Sequence, residues 1–264
     1  MKKLFILLLM IVSVGVILLG NLHWKNLNSA PAATEAESTD QQGDSEKKDE
    51  ASKESSPSGT LSYTGNWSPE LRSIYENKLE EGEAFNLVIA GSQAMDAVEP
   101  GWNDLVADAV KAKYGDTITV HSFPYDSNSF DFVAEAQAEE IADLDPNLVI
   151  FEPLTLNDNS LVRIEDSLVH IQTIYEDISA SNVGMELVLT PPQPVHSPNW
   201  YATQISELEK FADNEGYTYI DHWENWPDVE SDEIKNYLNG EGSSPNEQGQ
   251  KAWADAIISY LISE

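Results

Sequence analysis

The chain has 264 residues, room for one domain of ordinary size with accessory segments, and 41% of them are apolar, enough to bury a sizeable core. Its 46 acidic against 14 basic residues leave a formal net charge of −32, a surface that repels phosphate backbones and argues against any nucleic-acid partner. The absence of cysteine excludes disulfides, thiolate-bound zinc, a thiol nucleophile and a lipidated N-terminal Cys.

Lys2 and Lys3 precede an uncharged apolar run from Leu4 to Leu19, the layout of a secretory signal or signal anchor. At ~1.5 Å per residue a helix of that length reaches ~24 Å, slightly short of a ~30 Å hydrocarbon core. Trp24 and Lys25 suit the interfacial end of a span, and the first Ala-rich stretch suited to cleavage, Ala30 to Ala33, lies well beyond Gly20. A retained transmembrane anchor over residues 1–25 is therefore expected, with the rest of the chain outside the cytoplasm. The following stretch is Ser, Ala, Glu, Asp, Gln, Lys and Pro, with Leu27 its one large apolar residue as far as Gly59. It buries too little surface to offset ordering entropy and reads as a flexible linker, taken as residues 26–67, before a folded domain at 68–264.

Short apolar runs then recur at Phe85–Ala90, Thr117–Val120, Leu148–Phe151, Met185–Leu189 and Tyr217–Ile220. Between them lie helical periodicities. Trp102, Leu105, Val106, Ala109 and Val110 share one helix face, as do Leu161, Ile164, Leu168 and Ile171, and as do Trp253, Ala256, Ile257, Tyr260 and Leu261. Five buried strands alternating with helices predict an α/β domain, a parallel sheet covered on both faces. Ligands of such sheets bind at the carboxyl ends of the strands.

The first of those ends reads Ala90-Gly91-Ser92-Gln93, a glycine turn into a helix or, more sharply, a serine nucleophile on a tight turn. The third is followed by Glu152 to Asn159, in which Asn157 and Asp158 either cap a helix or offer an amide to a developing oxyanion. After the fifth comes Asp221-His222-Trp223, and just before the last helix Glu241-Gly242-Ser243-Ser244-Pro245-Asn246.

Together these segments resemble the SGNH (GDSL-type) hydrolase superfamily from about Phe85 to the C-terminus. The resemblance implies a flavodoxin-like three-layer sandwich with strand order 2-1-3-4-5 and ester hydrolysis without a cofactor or metal. It places the nucleophile at Ser92 and an oxyanion donor at Asn157, since the family's Gly-x-Asn-Asp block falls on Thr155–Asp158. The family's Asp-x-x-His-Pro block falls on Glu241–Pro245. There Ser244 stands where the general-base histidine belongs and Glu241 replaces the aspartate that would orient it. The oxyanion-hole glycine falls near Ser122–Asp126, where there is none, and Pro124 has no N–H to give. A serine hydroxyl is a weak nucleophile without a base to take its proton. His222, at the end of the fifth strand, is the candidate substitute, with a water-linked Glu241 the other. Trp200, Tyr201, Trp223 and Trp226 could stack on a sugar or pack the domain. The implied partners are an ester or carbohydrate ligand and, through the N-terminal run, a membrane. The competing reading is a non-catalytic member that binds carbohydrate or wall polymer.

Overall fold

The computed structural model describes residues 57–240 and 242–263. The expected anchor, the linker as far as Ser56, and Glu241 lie outside the described residues. Among the described residues no helix is long and apolar enough to cross a membrane.

Five parallel strands form one sheet: β1 (Phe85–Ser92), β2 (Ile118–Tyr125), β3 (Leu148–Phe151), β4 (Glu186–Leu189) and β5 (Thr218–Tyr219), in the order β2-β1-β3-β4-β5. This is the expected architecture. The longer helices are α1 (Pro69–Glu81), α2 (Trp102–Tyr114), α3 (Ile164–Ser179), α4 (Trp200–Glu215) and α5 (Glu247–Leu261). The alternation of side chains along the strands divides the core in two. Leu87, Ile89, Leu148 and Ile150 pack with residues of α1, α2 and α5, such as Tyr75, Trp102 and Trp253. Val88, Ala90, Val149 and Phe151 face the other way, onto Ile171, Ile174 and Ile178 of α3 and Leu208 and Ala212 of α4. A strand buried on both faces needs a continuous apolar run, and β3, Leu148 to Phe151, is one.

Two boundaries differ from expectation. The apolar run suggested that β2 ends near Val120, but the strand continues to Tyr125, with Ser92 opposite Tyr125. β2 is an edge strand, so its side chains between the two ends stay partly or fully exposed and Pro124 needs no N–H partner. The ordered chain also begins before Ser68. Pro57–Thr60 and Leu61–Tyr63 are helical turns, and Trp67 is buried. Its ring lies among Tyr75, Phe85 and Tyr114, and its Nε1–H donates to the Leu261 carbonyl at 3.1 Å. Polar neighbours such as Gly65 and Asn66 disguise this one anchoring side chain in the sequence.

Candidate active site

Ser92 is the last residue of β1, and Gln93–Asp96 turns away from it in a 3-10 helix. Its Oγ accepts the Ala94 N–H at 3.3 Å, which leaves the hydroxyl proton for another acceptor. Its own N–H donates to Glu152 Oε2 at 2.5 Å. The residue before it must be glycine for a steric reason. A Cβ on Gly91 would lie 2.7 Å from Glu152 Cβ and 3.2 Å from Met95 Sδ.

Glu152 follows β3 directly and has no exposed surface. Its Oε1 accepts the Leu154 N–H at 3.1 Å, made possible by a left-handed Leu154 at φ 59°. Burial pushes this carboxyl above the usual range. Hydrogen bonds from the Ser92 hydroxyl and from the Ser92 and Leu154 N–H groups oppose that push, while the charge of Asp158 adds to it. Beyond Glu152, the hydroxyls of Thr155 and Thr190 and the side-chain oxygen of Gln193 are buried without a partner among the described residues. The Gln193 amide donates to the Ser243 carbonyl at 2.7 Å and the Tyr201 hydroxyl to the Gln193 carbonyl at 2.9 Å. The segments that follow β3 and β4 thus both carry buried polar groups at the carboxyl edge of the sheet.

Asn157 lies in the helical turn Thr155–Asp158, and its amide donates to the Ser127 carbonyl, at 2.8 Å, in the loop after β2. That bond uses one of its two amide hydrogens. Asp158 is buried and accepts from the Ser129 N–H at 2.7 Å and the Ser167 hydroxyl at 2.5 Å, bracing the same loop. Ser244 is half-buried, and its carbonyl accepts the Asn239 N–H at 2.9 Å. A second clamp joins this region to the nucleophile turn: buried Gln250 of α5 donates to the Ala94 carbonyl at 2.8 Å and accepts from the Trp102 N–H at 2.9 Å.

His222 is not placed to serve as a base. It is fully buried, its Nε2–H donates to the Pro191 carbonyl at 2.8 Å, and its Nδ1 accepts the Trp226 indole N–H at 2.9 Å. The ring stacks on Trp253 at 4.2 Å between centroids, its plane within 2° of parallel. Burial lowers its pKa to about 3, so it is neutral with both nitrogens occupied and no lone pair left for the Ser92 proton. Asp221 bonds to the Trp223 N–H at 2.9 Å and caps that turn instead of orienting the imidazole. The other described histidines are engaged elsewhere. His121 lies opposite Val88 midway along β1, His170 Nδ1 bonds to Ser129 Oγ at 2.8 Å, and His196 lies 3.5 Å from Asp232.

The three tryptophans fall into different settings. Trp226 is buried against Tyr237 and His222, a packing role. Trp223 is half-buried beside Tyr201 and donates to the Pro192 carbonyl at 2.8 Å. Trp200 is 80% exposed. Glu152 was missed from the sequence, although an acidic residue abutting the wholly buried Leu148–Phe151 run was its signal. Gln193 and Gln250 carried no such signal.

The fold and the serine-bearing edge define a three-layer α/β protein with the SGNH hydrolase fold. Among solved structures it resembles an acetylxylan esterase from Geobacillus stearothermophilus, Axe2, with a TM-score of 0.56 and 13% identity over 67% of this chain and 94% of that one. TesA aligns with a TM-score of 0.54 and 18% identity, over 67% and 97% of the two chains. A GDSL-like lipase from Bacteroides thetaiotaomicron aligns with a TM-score of 0.51 and 14% identity, over 71% and 96%. No family model matches the sequence, and no curated protein matches it.

Proposed function

We propose that the chain is an SGNH-type carboxylic ester hydrolase with an altered catalytic set, with Ser92 as its nucleophile. The observation that carries this reading is the placement of Ser92 at the carboxyl end of β1, after a sterically enforced glycine, with its N–H on the buried carboxyl of Glu152. Asn157, one turn beyond β3, is the oxyanion donor. Support for an ester substrate comes from fold neighbours, an acetylxylan esterase and a GDSL-like lipase. The apolar run after Lys2 and Lys3 supports a membrane-anchored protein whose domain lies outside the cytoplasm. Acyl or acetyl groups on wall or exopolysaccharide sugars are then the substrates within reach.

The test is turnover of 4-nitrophenyl acetate by the detergent-solubilised full chain. A slow rate is expected, abolished by Ser92→Ala. An unchanged rate in Ser92→Ala removes Ser92 from the mechanism.

The occupied nitrogens of His222 favour a second reading, a domain that keeps the fold and binds carbohydrate without cleaving it. A cleft of about 880 Å³ lined by Glu233, Asn236, Tyr237, Asn246, Glu247 and Gln248 offers the planar polar and aromatic groups sugars use. Retention on wall polysaccharide by a chain with no turnover would favour this reading.

A further inference from the structure

We infer that Glu152 takes the place of the missing histidine as the proton acceptor for Ser92. This rests on the reading of Ser92 as nucleophile and names the base which that reading lacks.

The geometry is specific. Ser92 Oγ already accepts the Ala94 N–H, so its proton is the part of the hydroxyl still to be placed. Glu152 Oε2 lies 2.5 Å from the Ser92 nitrogen, within the span of that residue's own short side chain, and the Ser92 side chain helps to hold the pKa of this carboxyl down. Two backbone N–H groups fix the carboxylate from both oxygens, so it cannot swing away. The glycine at 91 is what allows the glutamate to approach so closely. A structural brace alone needs only the two N–H bonds. Thr155, three residues on from Glu152, and Thr190, whose N–H donates to the Phe151 carbonyl at 3.1 Å, bring two further hydroxyls, buried without a partner among the described residues, to the same end of β3.

The proposed steps balance. Glu152 carboxylate takes the hydroxyl proton as Ser92 Oγ bonds to the ester carbonyl carbon. The tetrahedral oxyanion collapses, the carbon–alkoxy bond breaks, and the leaving alkoxide takes the proton back from the Glu152 carboxyl. Water then attacks the acyl carbon and gives its proton to Glu152. Collapse releases the acid, and Ser92 recovers a proton from Glu152. The imidazole that normally stands here would be replaced by a group whose buried site lifts its basicity toward that of a useful base. The ionisable groups that bear on Glu152 are Asp158, whose charge raises its pKa further, and Tyr201, which stays protonated because burial and the Glu152 charge both oppose its ionisation.

The experiment uses full-length wild type, Ser92→Ala, Glu152→Gln and Glu152→Asp with 4-nitrophenyl acetate between pH 4 and 9. Folding of each variant is checked by near-UV circular dichroism. Wild-type kcat/KM should rise with pH through one ionisation above the ordinary carboxylate range and then level. Glu152→Gln should lose that limb and about 100-fold in rate or more. Glu152→Asp should keep the limb with a reduced rate. If Glu152→Gln fails to fold, the wild-type limb still decides: a rate first-order in hydroxide with no plateau overturns the assignment. Ser92→Ala inactive with Glu152→Gln retaining rate and limb overturns the inference alone. Activity surviving Ser92→Ala, or neither turnover nor acyl-Ser92 by mass spectrometry, overturns the reading and the inference together.

Discussion

At Gly91 a single hydrogen stands where any larger group would meet Glu152, because the two chain segments touch at the site. Gly91→Ala should cost about 1–3 kcal/mol by overpacking, read as a lower urea midpoint, and should displace Ser92 from its carboxylate. A midpoint unchanged within error would mean that the strands separate easily there. His222 shows a different economy. Its folded pKa of about 3 lies below the usual 6.5, so between those values the unfolded imidazole binds a proton that the folded one refuses. The sign follows: His222 contributes full stability above about pH 6.5, and that contribution falls by about 1.4 kcal/mol per pH unit on acidification toward pH 3. His222→Gln should lower stability at neutral pH, and its stability–pH curve should be flatter than wild type across that window. Parallel curves would contradict a buried neutral ring. The sequence placed His222 at the end of the fifth strand, close to Trp226, but could not reveal that Trp253 and the Pro191 carbonyl enclose it, since partners about thirty residues away leave no local pattern. Ser92 was legible because its glycine and its strand are adjacent in the chain. Glu152 was obscured because its partner sits on another strand.

Strands and helices were legible wherever burial sets a short period. The run Leu148–Phe151, four apolar residues in a chain of alternating elements, reads as an interior parallel strand, and the Trp253-to-Leu261 spacing reads as one face of α5. Edges were harder, because β2 follows its neighbour β1 for eight residues while its own side chains stay partly exposed. The entry segment was harder still. Trp67 lies in polar sequence, yet it joins α1, β1 and α2 through Tyr75, Phe85 and Tyr114 and ties to the end of α5 through Leu261. The Gly65 N–H also donates to Ser263 Oγ at 3.0 Å, so the entry segment and the C-terminus brace each other. Trp67→Ala should therefore destabilise by about 3–5 kcal/mol in urea unfolding. A chain that starts at Ser68 should show a similar loss relative to one that starts at Pro57. Equal stability of the two truncations would place the whole fold beyond Ser68 and leave Trp67 an incidental contact.

At the scale of the whole molecule, charge opposes compaction. Formal charges of 46 acidic and 14 basic residues leave 32 negative ones uncompensated. The cations offer little relief. Pairs such as Lys111–Asp116, Lys235–Asp232 and Lys251–Asp255 are well exposed, and exposed pairs contribute about 0–1 kcal/mol each at most. Salt acts on both terms in opposite directions. It weakens these few attractions, and it screens a far larger number of repulsions as the Debye length falls from ~30 Å at 0.01 M to ~3 Å at 1 M. Because unmatched acids outnumber all basic residues about twofold, the repulsive term should win. The melting temperature should accordingly rise as potassium chloride is increased from 0.01 M to 1 M, most steeply at the low end where screening changes first. A weakly interacting salt keeps the effect electrostatic, and equal osmolality of an uncharged solute serves as the control. Replacing exposed acids on α1, such as Glu76 and Glu80, by glutamine should raise the melting temperature at low salt and shrink the salt response. A melting temperature that is flat or falls with salt would mean that the acidic side chains are spaced widely enough to be screened already, and that charge sets only solubility.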